Sequence, residues 1–364
     1  MKILHITSWF PHKENPKEAL FIERHIAALG SIKSIDQTVL HLSMNPGAFR
    51  FRKEKSFLAR HIQINIPVKK WIVIELLSFV TLCWSLLRVK ANTFDIINFH
   101  VAYPNLTFWH WVKRWVKPKT VITEHWSAYH FNFGLSKPPP RIKRIFRQNI
   151  PVISVSKALM HDIETFSEAK FPQYLVPNIV DTSVFKPNKK VNRKPNRLFM
   201  VAQWKKPKNP FLILQAFHSF SQNHHKAELI IGGYGPLLDE MKRLVSELKL
   251  TGAVNFLGKM NSEEIAFEMQ QAAGFIHSSE YETFSIVCAE ALSCGCPVIA
   301  SKVGGIPEFV NETNGVLVED QSEHAFSEAM RKLVSSNWSV ETNDAFSPKK
   351  VAKTYYDVLN AISR

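Results

Sequence analysis

Cysteine is scarce in this chain of 364 residues: there are four, Cys83, Cys288, Cys294 and Cys296, and no Cys-x-x-Cys pair. Cys294-Gly295-Cys296 is a poor zinc clip without a second pair, so reduced, packed thiols are expected instead of a disulfide framework or a metal knuckle. Nor is a secretory leader expected. The apolar run that opens the chain stops at Thr7, too short for a leader core and without a small-residue cleavage site, which predicts a cytoplasmic protein. No Gly-x-Gly-x-x-Gly follows the first predicted strand, so the dinucleotide fingerprint is absent there. Acids are sparse early in the chain: residues 1–150 hold 23 Lys/Arg against 8 Asp/Glu, whereas residues 151–364 hold 23 of each. The whole excess of +15 therefore lies in the first part and points to an anionic partner there.

What is present is ordinary globular material, 45% hydrophobic and 21% charged, in a length that fits two domains. Ile3–Thr7 reads as a buried strand, followed by a loop and a helix from Ala19 to Leu29; strands and helices then alternate in both halves. Alternation of this kind predicts an α/β protein of two Rossmann-like domains facing each other across a cleft, with ligands at the carboxyl ends of the strands. The expected divisions are a first domain over 1–185, a polar linker over 186–196, a second domain over 197–345, and a final helical segment over 346–364 that could pack on either. His100, His125 and Ser156 each close a predicted strand of the first domain and are candidate cleft residues. Gly233, after the strand Ala227–Ile231, is another.

From Trp71 to Leu87 runs an apolar stretch whose one charge is Glu75, flanked by Lys69, Lys70, Arg88 and Lys90. It is at the short limit for a membrane span and holds an acid, so a crossover helix leading to the strand Phe94–His100 is expected. Residues 108–117 interleave Trp with Lys and Arg on a predicted helix. That pattern suits the headgroup layer of an anionic membrane, and it also suits tryptophans in a core with solvated cations; the composition leaves both readings open. No recognised nucleic-acid module accompanies it, so nucleic acid is not an expected partner. Phe49 to Lys55 is a second basic and aromatic stretch.

The stretch around which the chain is organised is Tyr281–Glu308. Glu282 and Glu290 stand eight positions apart, with Ala-Leu-Ser-Cys-Gly-Cys-Pro-Val-Ile-Ala and then Gly304-Gly305-x-x-Glu308 behind them. Glu290 lies in apolar surroundings, where an unpaired carboxylate is costly. Other pieces accompany this string: His125 in Thr-Glu-His-Trp, Pro-Asn-x-Val-Asp at 177–181, Lys208 in the first loop of the second domain, Gly-Gly-x-Gly-Pro at 232–236 and Phe-Leu-Gly at 256–258. Together they resemble the family 4 glycosyltransferases, retaining enzymes of the GT-B fold. The matching pieces run along nearly the whole chain, and the 281–308 string is the most specific of them.

The resemblance implies a donor of the UDP- or GDP-sugar type, a glycan or lipid-linked acceptor, no cofactor and no metal. It makes Glu282 and His125 the catalytic candidates, with His125 contacting the transferred sugar or the donor phosphate. Donor binding falls to Lys208 and Gln203, to the helix start at Phe284, Ser285 and Ile286, to Glu290 on the ribose diol, and to the loop at Gly258 beside the base. A helix N-terminus and a lysine suit a diphosphate leaving group, and a carboxylate suits adjacent hydroxyls. The chain departs from the family pattern in three places. Gln203 stands where an arginine is usual, Ser285 where a glycine is common, and Asn15-Pro16-Lys17-Glu18-Ala19 replaces a glycine-rich first loop. Expected, then, is a retaining, metal-independent glycosyltransferase of polysaccharide or lipopolysaccharide synthesis, peripheral on the inner membrane face. The alternatives are a nucleotide-sugar epimerase of the same fold and a non-catalytic nucleotide-sugar or anionic-polymer binding protein.

Overall fold

The computed structural model describes residues 1–12, 15, 18–43, 50–55, 60–65, 71–137, 139–341 and 344–364. The chain divides into two compact units, residues 1–179 with 348–364, and residues 180–347.

The first unit is built from β1 (Lys2–Thr7), α1 (Leu20–Gly30), β2 (Asp36–Ser43), β3 (Arg50–Lys55), β4 (Arg60–Asn65), α2 (Trp71–Arg88), β5 (Ile96–His100), α3 (Trp109–Val112), β6 (Lys119–Glu124), α4 (Pro140–Phe146), β7 (Val152–Ser154), α5 (Lys157–Ser167) and β8 (Gln173–Leu175). Its eight-stranded sheet has the order β3-β4-β2-β1-β5-β6-β7-β8. Only β3 runs antiparallel to its neighbour; the other pairings are parallel. Ile3 through Thr7 and Ile96 through His100 are buried without a break, as expected of central strands covered on both faces. Ile3, Ile96, Val121 and Ile153 form one core layer with Ala28 and Leu29 of α1.

The second unit contains β9 (Lys194–Gln203), α6 (Pro210–Ser221), β10 (Glu228–Tyr234), α7 (Leu238–Glu247), β11 (Val254–Gly258), α8 (Ser262–Gln271), β12 (Ala272–His277), α9 (Ile286–Ser293), β13 (Val298–Ser301), β14 (Gly315–Val318) and α10 (Glu323–Ser335). Its six strands, in the order β11-β10-β9-β12-β13-β14, are all parallel. Three of its helices begin on a side chain that accepts from the first turn: Asn209 for α6, Asn261 in a reciprocal capping box with Glu264 for α8, and Ser322 for α10. The last helix, α11 (Pro348–Ser363), returns to the first unit. It buries Val351, Ala352, Tyr355 and Leu359 in that unit's core layer, and side chains of the Val and Leu type contribute about 1.5–3 kcal/mol each on burial.

Several element expectations differ from the structure. The units meet at 179/180 and 347/348 in place of 185/186 and 345/346, because Val180 N–H donates to Phe346 O at 2.9 Å and so ties both ends of the second unit together. The expected linker already becomes β9 at Lys194. Residues 50–55, read only as a basic and aromatic stretch, form strand β3; Phe49 lies outside the described residues. The helix expected over 108–117 shrinks to the single turn Trp109–Val112, with Trp109 buried and Trp111 and Trp115 exposed. The tryptophans thus divide between the two readings. Among the described residues, no helix is long and apolar enough to cross a membrane.

Candidate functional site

In the second unit, chemistry gathers at the carboxyl ends of the strands. The loop after β9 carries Lys208, β12 ends on His277, and the segment beyond carries Glu282. Lys208 Nζ bonds Glu282 Oε1, His277 Nε2 stands 2.9 Å from the same oxygen, and Lys208 Nζ is 3.4 Å from His277 Nε2. Burial alone would raise the Glu282 carboxyl. The Lys208 ammonium and the His277 hydrogen bond outweigh it and hold the group at about 2. His277 is lowered, by burial first and then by Lys208, so it is a neutral ring at pH 7. A carboxylate can only accept, which places the proton of that ring on Nε2. Glu282 is therefore a fixed anion and a weak base, suited to accepting hydrogen bonds and holding a cation in place, not to abstracting protons at neutral pH. His277 was not among the residues singled out from the sequence, although it closes a strand in the same way as His100 and His125.

The glycine pair behind Glu282 has a mechanical reason. Gly305 N–H donates to Glu282 O at 3.0 Å, and a Cβ on Gly304 (φ +51°) would stand 1.8 Å from that same oxygen. The Gly-Gly loop thus closes on the Glu282 backbone, where no side chain fits. Between Glu282 and α9, Ser285 adopts φ +68°, the left-handed region that favours glycine. Its hydroxyl does not cap α9; it donates to Cys288 Sγ at 3.2 Å. The Phe284 ring is buried against Phe309 and Phe346, at centroid distances of 5.0 and 5.2 Å, so only its backbone is left to face a ligand. Ile286 opens α9, and Glu290 lies one turn on and largely buried. Gln203 ends β9, exposed.

Gly233 does structural work. A Cβ there would meet Ala202 O at 1.9 Å, and one on Gly235 would meet Trp204 O at 2.3 Å, so these glycines let the end of β10 lie against the end of β9. Trp204 completes the contact by donating its backbone N–H to Tyr234 O and its indole N–H to Gly232 O. Gly258 (φ +70°) ends β11 with open space where a side chain would project.

In the first unit, His100 and His125 close β5 and follow β6 with their rings stacked, centroids 5.8 Å apart. His125 lines a cavity of about 350 Å³ together with Trp9, Glu18, Ala19, Phe21 and Trp126. It is 7% exposed, and neither ring nitrogen has a partner among the described residues. Glu124 fixes the turn that carries it: one oxygen accepts from the His125 and Trp126 N–H groups, the other from Ala102 N–H and the Tyr129 hydroxyl. His100 is fully buried and does not line that cavity; its Nε2 pairs with His5 Nδ1 at 3.0 Å, and His5 Nε2 pairs with Gln37 Oε1 at 2.9 Å. Deeper still, Asn98 donates to the Tyr355 hydroxyl and accepts from Thr123. Burial pushes His5 and His25 down to about 4 and lowers His100 and His125 well below the usual value, so the cluster is uncharged at pH 7. Ser156 is buried and caps α5, accepting from Leu159 N–H at 3.0 Å.

Residues 181–351 match the family model described as glycosyl transferases group 1. This part of the chain belongs to that family. Among curated relatives, D-inositol 3-phosphate glycosyltransferase of Corynebacterium jeikeium is 24% identical over 314 residues, 78% of this chain and 74% of the relative. N-acetyl-alpha-D-glucosaminyl L-malate synthase of Bacillus anthracis is 25% identical over 300 residues, 74% and 76% of the two chains. A phosphatidylinositol N-acetylglucosaminyltransferase subunit of Saccharomyces cerevisiae is 26% identical over 65% of this chain, a match spanning about half, 54%, of the relative's own length. Among solved structures, Anabaena HepE in complex with UDP superposes with a TM-score of 0.75 at 17% identity over 99% of this chain and 100% of the other. The lipopolysaccharide outer core galactosyltransferase WaaB superposes at 0.74 and 16% identity over 99% of both. These likenesses carry the fold, an α/β GT-B architecture along the whole chain.

Proposed function

We propose that this protein is a retaining glycosyltransferase that takes a UDP- or GDP-sugar and passes the sugar to a lipid-linked or cell-surface polysaccharide precursor. The observation that carries the reading is the Lys208–Glu282–His277 cluster beside the start of α9. A diphosphate leaving group takes its charge into the transition state and needs fixed donors, which an ammonium and the free N–H groups of a helix start supply. Glu282 orients the ammonium and accepts from sugar hydroxyls, while Glu290 would take the ribose diol. Lys208 would supply, without a metal ion, the cation that the leaving group requires. In the first unit, the unpartnered His125 nitrogens at a cavity are suited to a hydrogen bond with the transferred sugar or the donor phosphate. A UDP donor gains support from HepE, which is described as a complex with UDP and with UDP-glucose.

Peripheral binding to an anionic membrane face belongs to the same proposal. Leu76, Val80, Trp84 and Leu87 recur at helical spacing along α2 and are 41–67% exposed, with Arg88 stacked on Trp84. Trp111 and Trp115 are exposed as well, with Arg114 over Trp111. Apolar side chains bordered by tryptophan and arginine suit the headgroup boundary.

Incubating the full chain with UDP-, GDP- and ADP-sugars tests the central claim. Slow release of free sugar from one donor is the expected result and names that donor. A changed sugar still attached to its nucleotide would instead mean epimerisation, and binding without any turnover would leave a nucleotide-sugar binding protein.

A further inference from the structure

The segment after β1, in the first unit, brings a second set of donor atoms together. His12 and Asn15 pair through their backbones in both directions, at 3.2 and 3.0 Å, and Glu18 N–H donates to Asn15 O at 3.3 Å. That backbone arrangement sets the His12 and Glu18 side chains beside each other, with His12 Nδ1 3.2 Å from Glu18 Oε2. His41, on the adjoining strand β2, completes the group; its ring centroid lies 5.4 Å from that of His12. One donor atom from each of the three residues lies within 4.8 Å of the other two.

We infer that His12, Glu18 and His41 form a binding site for a divalent transition-metal ion of the zinc class. Two imidazoles and one carboxylate are the mixed nitrogen and oxygen donors that zinc accepts, whereas calcium and magnesium call for oxygen donors alone. Donors about 3.3 Å apart are what tetrahedral geometry requires at zinc bonds of ~2.0–2.1 Å. The His12–Glu18 pair already meets that spacing, with His12 Nδ1 also 3.0 Å from Phe10 O, a contact the ion would replace; His41 would have to turn within its buried site to bring in the third. Three protein ligands leave a fourth position open. Glu18 also lines the cavity that His125 faces, and so do Trp9 and Ala19 of the same segment. A bound ion ties this segment to β2 and fixes one wall of the cavity. The site stands whether or not the glycosyl-transfer reading holds, since nothing in its geometry involves Lys208 or Glu282.

The test is a zinc titration of the untagged full-length chain by calorimetry, with cobalt as a visible reporter of coordination geometry. One tight site per chain is expected, weakened at least about tenfold in Glu18→Gln and in His12→Ala. His324→Ala, at an exposed position of the second unit, is expected to bind as the parent does. His41 is fully buried and its replacement risks the fold, which is why the two loop variants carry the test. No zinc binding by the parent chain, or equal affinity in the parent and both loop variants, overturns the site.

Discussion

The two units place opposite chemistry at the same address. At the carboxyl end of the first sheet stand stacked imidazoles kept neutral by burial; at the carboxyl end of the second stands an ammonium, a carboxylate and a neutral ring bonded together. The difference inverts the surface balance, because the net positive charge belongs to residues 1–150 while the later residues balance to zero. Charge on the outside of a domain says little about what its strand ends hold. A neutral cluster can only form hydrogen bonds and shape, whereas a charged one can balance charge that develops during a reaction.

Removing a charge from the second cluster should have the largest effect. Lys208→Ala leaves Glu282 as a buried anion with its main counter-charge gone; turnover of the donor identified in the sugar panel is expected to fall about 100-fold or more. Stability of the second unit should drop by about 2 kcal/mol in urea, on the scale of a broken partly buried ion pair. Full activity in this variant would remove the contrast between the clusters.

Acid should separate the units next. Histidines whose folded values lie below the unfolded value of about 6.5 bind fewer protons folded than unfolded, so their contribution is complete above that value and is lost as pH falls towards about 4. Four such rings lie in the first unit and one, His277, in the second. Glu18, Glu23 and Glu124, raised by burial, work in the other direction and offset part of the loss. Glu282 is a depressed acid: its contribution is present above the unfolded value of about 4.5 and is lost only as pH falls towards about 2. Hydrogen exchange of the full chain, read on β5 and β6 peptides against β9 and β12 peptides at pH 7 and pH 5, should show the first unit losing protection sooner. Equal losses would contradict the assignment.

The smallest effect concerns backbone strain beside the charged cluster. Ser285→Gly removes a side chain from a left-handed position and is expected to raise the melting temperature of the second unit slightly, by the equivalent of about 0.5 kcal/mol. A lower melting temperature would mean that the hydrogen bond from Ser285 to Cys288 outweighs the strain.

Much of this was legible in the chain itself. The alternation of strands and helices gave both sheets, because central parallel strands read as mostly apolar runs such as those around Ile97, where Asn98 is the polar interruption, and Phe275. Lys208 and Glu282 were both visible, but their bond was not, since 74 positions separate them. His277 carried the strand-end signal and was passed over as part of a strand on its way to Glu282. Phe284 is assigned to donor binding by the resemblance alone, and the partners that bury its ring, Phe309 and Phe346, lie too far along the chain to be inferred. Gly233 looked like part of a cleft, and only the Ala202 carbonyl shows why the residue must be small. Strand β3 was hidden by its charges, which suit a sheet edge. His12, Glu18 and His41 have no recognisable spacing, because β2 brings the third residue from a separate strand.

Tyr355 sits in the middle of the first unit, bonded to Asn98 and Thr123, yet it is made after the whole of the second unit. During synthesis, residues 180–347 leave the ribosome as one continuous stretch and have all their strands in hand, while the first sheet waits with a gap against β5 and β6. The unit whose strands begin the chain therefore receives its last core helix only after the whole of the other unit has been made.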